Sequence, residues 1–197
     1  MCQFSLVLRL PIRPKIATCF NFGRRARLGP VFVLVTGLPG SGKTQLAAPL
    51  AASLALPLLA KDTMKEALWD ALGPGDREWG RQLGTAAAVA LESLARSLPG
   101  AVIDHFVHAG FSDEWESLPD LVEVRCACAP EIARERYAAR RRHPSHFDTD
   151  QLTDSYDGWI VDDAARPPLG PRLDVDTATP VDIDSIARWV RSEWKRV

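Results

Sequence analysis

A three-layer α/β domain built on a five-stranded, mainly parallel sheet is what this sequence predicts, and three observations predict it. Short apolar runs alternate with longer segments of helical spacing from Val31 onward. The first run, Val31–Thr36, is rich in β-branched residues and uninterrupted by polar ones, as a strand buried on both faces requires. A glycine-rich turn follows it directly and leads into a helical stretch, so the chain passes from strand to helix without room for a hairpin.

The remaining elements follow in order. The spacing predicts a helix from Gly42 to about Ala55, with Pro49 in its interior expected to kink it. Pro57–Ala60 is a second short strand, and Lys61–Ala71 a helix carrying Met64, Ala67, Leu68 and Ala71 on one side. The Gly-Pro-Gly at 73–75 breaks it. Arg77–Leu98 is a long Ala/Leu-rich helix stopped by Pro99-Gly100. Ala101–Asp104 and Leu121–Ala127 are the third and fourth strands. Pro130 opens a charged helix running to about Arg142, and a further helix covers Thr149–Trp159. Arg172–Asp176 is the fifth strand, and Val181–Arg196 closes the chain as a helix with Ile183, Ile186, Trp189 and Val190 aligned. One domain, 31–197, accounts for all of these.

Composition narrows the class. Of 197 residues, 46% are hydrophobic and 25% charged, the balance of a soluble globular chain. The net charge of -1 conceals an asymmetry: residues 1–30 hold six Lys or Arg and no acid, which leaves the body at -7. A body that acidic argues against general nucleic-acid binding, which rests on neutralising phosphates. The basic segment 1–30 reads as a disordered extension, as residues ahead of the native start, or as a transit-like leader. Cys2, Cys19, Cys126 and Cys128 have neither redox nor zinc spacing and read as reduced thiols, which fits a cytoplasmic location. No apolar run approaches the roughly 18 residues needed to span a bilayer.

The turn after the first strand reads Gly37-Leu38-Pro39-Gly40-Ser41-Gly42-Lys43-Thr44, a match to G-x-x-x-x-G-K-[ST] at every fixed position. Successive backbone N–H groups can curl around an anion only where side chains do not obstruct them, and the following helix adds its positive end. Lys43 can reach the outer phosphates and the Thr44 hydroxyl can ligate magnesium. The turn therefore predicts a nucleoside triphosphate site, with ATP and Mg²⁺ as the implied pair and GTP as the other base choice.

With "VTGLPGSGKT", "LPLLAKDTMKEAL", "AVIDHF", "ERYAARRRHPSHFD" and "LDVDTATPVDI" in this order, the chain resembles P-loop small-molecule kinases. The resemblance is to the AAA-type ATP-binding kinases related to chloramphenicol phosphotransferase, gluconate kinase and zeta-type toxins. It implies that Asp62, just past the second strand, contacts the acceptor hydroxyl as base or orienter. The bland alternative is that Asp62 caps a helix starting at Thr63. It implies that Asp104 holds magnesium opposite Thr44, against an ordinary strand-end aspartate. His105 and Phe106 would then face the acceptor. The resemblance also implies a lid over about 131–148, whose Arg136 and Arg140 close on the phosphates. Arg136 and Arg140 are four apart and would share a helix face, while Arg134 and Arg141 read as solvated. Arg142, His143 and His146 stay open. Thr177 to Pro180 would contact the base, or else simply cap the last helix. Trp69, Trp79 and Trp115 are either pocket or core, with core preferred for two.

The function these readings imply is transfer of the γ-phosphoryl group of ATP to a small-molecule hydroxyl, without a membrane or nucleic-acid partner. A nucleotide-binding regulatory or toxin-like module and a polynucleotide 5′-hydroxyl kinase are the alternatives. The latter needs a basic channel toward Asp62.

Overall fold

The structure is a computed structural model and describes residues 31–108, 115 and 117–194. The extension expected over 1–30, with Cys2 and Cys19, lies outside the described residues, as does 109–114 of the acceptor-side loop. Five strands form one sheet: β1 Val31–Thr36, β2 Leu58–Ala60, β3 Gly100–Asp104, β4 Leu121–Ala127 and β5 Arg172–Asp176. Their order is β2-β3-β1-β4-β5 and every pairing is parallel, so the sheet is wholly rather than mainly parallel.

The helices are α1 Lys43–Leu54, α2 Lys61–Leu72, α3 Arg77–Arg96, α4 Pro130–Ala139, α5 Asp148–Asp154, α6 Tyr156–Ala165 and α7 Ile183–Trp194. Alternation along the strands divides the core into two layers. Val33, Val35, Val102, Val122 and Val124 meet α1 (Leu46, Leu50, Leu54) and α7 (Ile186, Val190) on one face. Phe32, Leu34, Ala101 and Ile103 meet α3 (Leu91, Ala95), Trp115 and Leu118 on the other. Each such fully buried aliphatic or aromatic side chain contributes about 1.5–3 kcal/mol relative to exposure. Trp69 and Trp115 are buried; Trp79 is half-buried, with Nε1 donating to the Gly73 carbonyl at 3.1 Å.

Two of the expected helices end or break differently. The charged helix stops at Ala139 rather than Arg142, and Arg140 is already extended (φ -76, ψ 150). Pro144 disfavours helical geometry in His143 (φ -56, ψ 140), so the chain must leave the helix before it. The helix expected over Thr149–Trp159 is broken at Ser155 (φ -127, ψ -21). That break turns Tyr156 inward, where its hydroxyl donates to the Pro39 carbonyl at 2.8 Å. Through Pro49, by contrast, α1 runs unbroken. Pro49 lies on the exposed side, where water can replace the donor it lacks.

One buried polar node was not visible in the sequence. Glu123, fully buried on β4, accepts from Thr36 Oγ1 at 2.6 Å and from the Leu169 amide at 3.1 Å, and it pairs with buried Arg166. Arg166 also reaches Thr36 Oγ1 at 3.3 Å. Burial pushes the Glu123 carboxyl upward, but the Arg166 and Thr36 hydrogen bonds outweigh it and hold its pKa below the ordinary value. Removing one partner strands the other charge. Glu123→Ala is therefore expected to cost about 3–5 kcal/mol by denaturant titration, and Glu123→Leu with Arg166→Met to recover most of it. Because the folded carboxyl is depressed, its stabilisation is present above the unfolded pKa of about 4.3. It is lost as pH falls through the lower folded value. The wild type should lose stability over that acid range and the double variant should lose less.

Candidate active site

α1, which follows β1, packs on one face of the sheet, while α3, with Trp115 and Leu118 after β3, packs on the other, which opens a crevice at the C-terminal ends of neighbouring β1 and β3. The glycine turn lies there. Gly37, Gly40 and Gly42 all have positive φ (121, 92 and 95). Two of them also pass against other backbone: a Cβ on Gly37 would sit 2.5 Å from the Cys126 carbonyl oxygen, and one on Gly40 2.1 Å from that of Ala133. Only glycine meets both demands. The Ser41 amide closes a turn onto the Leu38 carbonyl at 3.0 Å. Among the described residues the Gly40 and Gly42 amides donate to no carbonyl, and neither do the first amides of α1. Lys43 Nζ spans the turn, donating to the carbonyls of Gly37 at 2.8 Å and Leu38 at 2.9 Å. The loop is thus a preformed anion nest.

Thr44, in the first turn of α1, donates through Oγ1 to Asp104 Oδ2 at 2.6 Å. Asp104 is therefore more than a strand-end turn residue: it is paired with the hydroxyl expected to share a magnesium ion with it. Burial raises the Asp104 pKa, helped by Asp62 and opposed by Lys43 and the Thr44 hydrogen bond. Burial likewise lowers that of Lys43.

Ala60 of β2 is in register with Asp104, so α2 begins beside β3's tip. It starts at Lys61, not Thr63, and Asp62 makes no cap hydrogen bond. Its carboxylate instead receives Arg142 Nη1 at 2.5 Å, with Lys61 Nζ at 4.0 Å. Burial works against its charge, yet Lys61 and Arg142 hold its pKa well below the carboxylate range.

The arginine segment divides. Arg136 donates to the Thr177 carbonyl at 2.9 Å. Arg140 lies over the Tyr137 ring, 4.0 Å from its centroid, with Nε 3.6 Å from Asp148. Both line the crevice, but Arg136 from the helix and Arg140 from the extended residue that ends it, rather than from one helix face. Arg134 turns away to Asp157 at 2.7 Å, and Arg141 is exposed. Arg142 bridges two carboxylates, reaching Asp148 at 2.6 and 2.9 Å as well as Asp62. His146 (2.7 Å to Glu66) and His143 (3.1 Å to Asp70) continue the same docking. Asp62, Glu66 and Asp70, four apart on α2, thus receive three side chains of the segment after α4. The acids were legible as an i, i+4, i+8 series; their partners were not.

Together these residues line a cavity of about 1090 Å³ containing Lys43, Thr44, Asp62, Asp104, His105, Phe106, Arg136 and Arg140. Trp159, not singled out from the sequence, lines it too, whereas Trp69, Trp79 and Trp115 do not. His105 has a buried Nδ1 without a partner, and burial next to Lys61 lowers its pKa to about 3. A neutral ring fits a wall or donor role. Sequence reasoning also expected no basic channel outside the lid. Yet eight Lys or Arg line the cavity against two carboxylates, because α2 and α3 turn Lys61, Lys65, Arg77 and Arg81 toward it.

A second cavity of about 240 Å³ adjoins at Gly42 and Gln45, lined by Pro49, Thr177, Thr179, Pro180, Val181 and Ile183. Thr177 and Pro180, the expected base contacts, line this cavity, and Asp182, accepting from the Ser185 amide at 3.1 Å, caps α7. Among the described residues no three His, Cys, Asp or Glu form a metal cage, and no helix is long and apolar enough to cross a membrane. Cys126 is a buried thiol whose pKa burial raises to about 12, and Cys128 is also free.

The wholly parallel sheet, the preformed anion nest and the paired Thr44 and Asp104 define the class of P-loop proteins with a kinase fold. The chain belongs to the AAA domain family, whose model matches residues 32–157. No curated protein matches it significantly. Among solved structures it is similar to a predicted kinase from Chloroflexus aurantiacus J-10-fl, with 29% identity and a TM-score of 0.71 over 84% of this chain and 98% of that one. A gluconokinase from Sinorhizobium meliloti 1021 shares the fold at 20% identity and TM-score 0.52, covering 85% and 93%. A shikimate kinase from Bacteroides thetaiotaomicron does so at 16% and 0.51, covering 84% and 95%.

The loop geometry makes a graded prediction. Gly40→Ala meets the Ala133 carbonyl, whereas a Cβ on Gly42 meets nothing closer than Thr177 Cβ at 3.7 Å. Thermal unfolding should therefore show a clearly larger loss for Gly40→Ala than for Gly42→Ala. Equal losses would mean that φ strain alone decides.

Proposed function

We propose that this protein is an ATP-dependent phosphotransferase acting on a hydroxyl group of a small molecule. The observation that carries the reading is the convergence of Lys43, Thr44–Asp104 and Asp62 on one cavity, at the tips of adjacent strands.

The amides around Gly40 and Gly42 and the Lys43 ammonium would hold the β- and γ-phosphates. The small uncharged cavity beside Gly42 would take the base. It offers no carboxylate for the two donors on guanine's edge, which supports ATP over GTP. Thr44 and Asp104 fit a magnesium ion. Their two oxygens are adjacent, burial disfavours an uncompensated Asp104 charge, and magnesium takes few protein ligands, the rest being phosphate and water. When bound, it would neutralise charge on the β- and γ-oxygens.

Asp62 would accept a hydrogen bond from the acceptor hydroxyl and aim its oxygen at the γ-phosphorus. The new bond joins that oxygen to phosphorus as the bond to the β–γ bridging oxygen breaks, releasing ADP. A carboxylate held so far below its usual pKa is a weak base, so Asp62 orients, and the hydroxyl proton leaves late through it to solvent. A loose phosphoryl-transfer transition state asks for little more. Arg136 and Arg140, which line the cavity, would stabilise charge on the moving group, and 131–148 would act as the lid carrying them. The free thiols fit a cytoplasmic setting. The kinship to chloramphenicol phosphotransferases and zeta-type toxins implied by the motifs belongs to this same reading.

Asp62→Asn should reduce phosphate transfer from ATP by about 10²–10⁴-fold while calorimetric ATP affinity stays near wild type. Normal turnover in that variant would remove Asp62 from the mechanism. Lys43→Ala should instead weaken ATP binding itself. ATP should also be retained more tightly than GTP, and the reverse preference would refute the base assignment.

A further inference from the structure

The cations on the acceptor side of the cavity have unequal partners. Arg77 pairs with Asp154 at 2.6 Å, Arg81 pairs with Glu78, and Arg142 with Asp62 and Asp148. Lys61 has only Asp62, at 4.0 Å. Among the described residues Lys65 makes no hydrogen bond or ion pair; it is only 5% exposed and lines the cavity, with Asp62 and Asp148 acting on it through space. Its stem is buried while its ammonium keeps access to solvent, so the charge is open to a ligand. Burial, and Lys61 next to it, lower its pKa to about 8, so at neutral pH it is still mostly charged.

Its neighbourhood is shaped to admit a ligand. Lys61 and Lys65, four apart on α2, converge on Gly84 of α3. A Cβ there would lie 3.7 Å from Lys61 Nζ and 3.9 Å from Lys65 Cε. The missing side chain leaves space beside the Lys61 ammonium and the Lys65 stem, within the same cavity as Asp62.

Resting on the phosphotransferase reading, we propose that the acceptor carries an anionic group, a carboxylate or phosphate, which docks between Lys61 and Lys65 beside Gly84 while its hydroxyl lies at Asp62. Lys65 is then the residue that sets specificity for acidic acceptors. It takes no part in the phosphoryl transfer itself.

The test uses the full chain with Mg²⁺ and matched pairs of probes: a six-carbon sugar acid against its sugar alcohol, a cyclic hydroxy acid against its methyl ester, and a sugar phosphate against the free sugar. Binding is measured with a non-hydrolysable ATP analogue present, and transfer with ATP. At least one acidic member should bind about 10- to 100-fold more tightly than its neutral partner, the worth of a hydrogen bond to a charged group. Lys65→Met should erase that preference and Lys65→Arg restore part of it, with KM for the acid rising, kcat for the acid and KM for ATP holding. Lys65→Met keeps the buried stem and removes only the charged end, so it should fold about as well as the wild type.

Transfer to neutral members as readily as to acids would overturn the inference and leave the kinase reading standing. Acid binding that depends on Lys65 without any transfer would uphold it and count against the kinase reading. Binding of no acidic member, a preference that survives Lys65→Met, or phosphorylation of a 5′-hydroxyl oligonucleotide in place of these small molecules would each overturn it.

Discussion

Everything in this molecule that bears on chemistry depends on the position of β1. It is hydrogen-bonded to β3 on one side and β4 on the other, all running the same way. Parallel strands require crossovers, and α1 after β1 lies on the opposite face from α3 before β3, so a crevice opens at the C-terminal ends of these two strands. The glycine turn occupies that gap. Its backbone is pinned from behind by the Cys126 and Ala133 carbonyls, close enough to exclude any side chain on Gly37 or Gly40. The loop is thus held by contacts within the fold itself, the Ser41–Leu38 turn and Lys43 among them.

Around this fixed point the charges are arranged with opposite biases. Burial makes Asp104 and Lys43 reluctant to stay charged, which suits the cation and polyanion proposed for them. Asp62 is treated the other way. Lys61 and Arg142 keep it ionised and point it along the crevice, at the cost of basicity. Two carboxylates in one cavity thus acquire different tasks from their neighbours alone, without any difference in residue type.

The segment after α4 is tied to the body through α2. Arg142, His146 and His143 bond to Asp62, Glu66 and Asp70, and Asp148 gathers Arg142, Arg140 and the Tyr137 hydroxyl. The wall that carries Arg136 and Arg140 is therefore coupled directly to Asp62. On the far side, Tyr156 fastens α6 to Pro39 of the glycine turn, and the Glu123–Arg166 node fastens the chain just past α6 to β4. Both ends of the arginine-bearing region are thereby anchored to the elements that form the phosphate site.

By itself the sequence determined the parts whose physics is local. A β-branched run, a glycine turn at fixed spacing and helices bounded by proline and glycine concern neighbours a few residues apart, so the strands, the nest, Thr44 and Asp104 were legible. Where several helix ends fall was less so, because the stops after Ala139 and at Ser155 reflect contacts made elsewhere by Tyr137 and Tyr156 as much as local propensity. The tertiary structure alone decided which charges meet. Asp62 and Arg142 are 80 residues apart, as are Glu66 and His146, and Glu123 and Arg166 are 43 apart. Nothing in the composition marks Lys65 as buried while Lys61 four residues earlier stays half-exposed. That difference arises only when α2 is laid against the glycines of α3, since burial and Coulomb energy depend on distances in space that a chain's order does not contain.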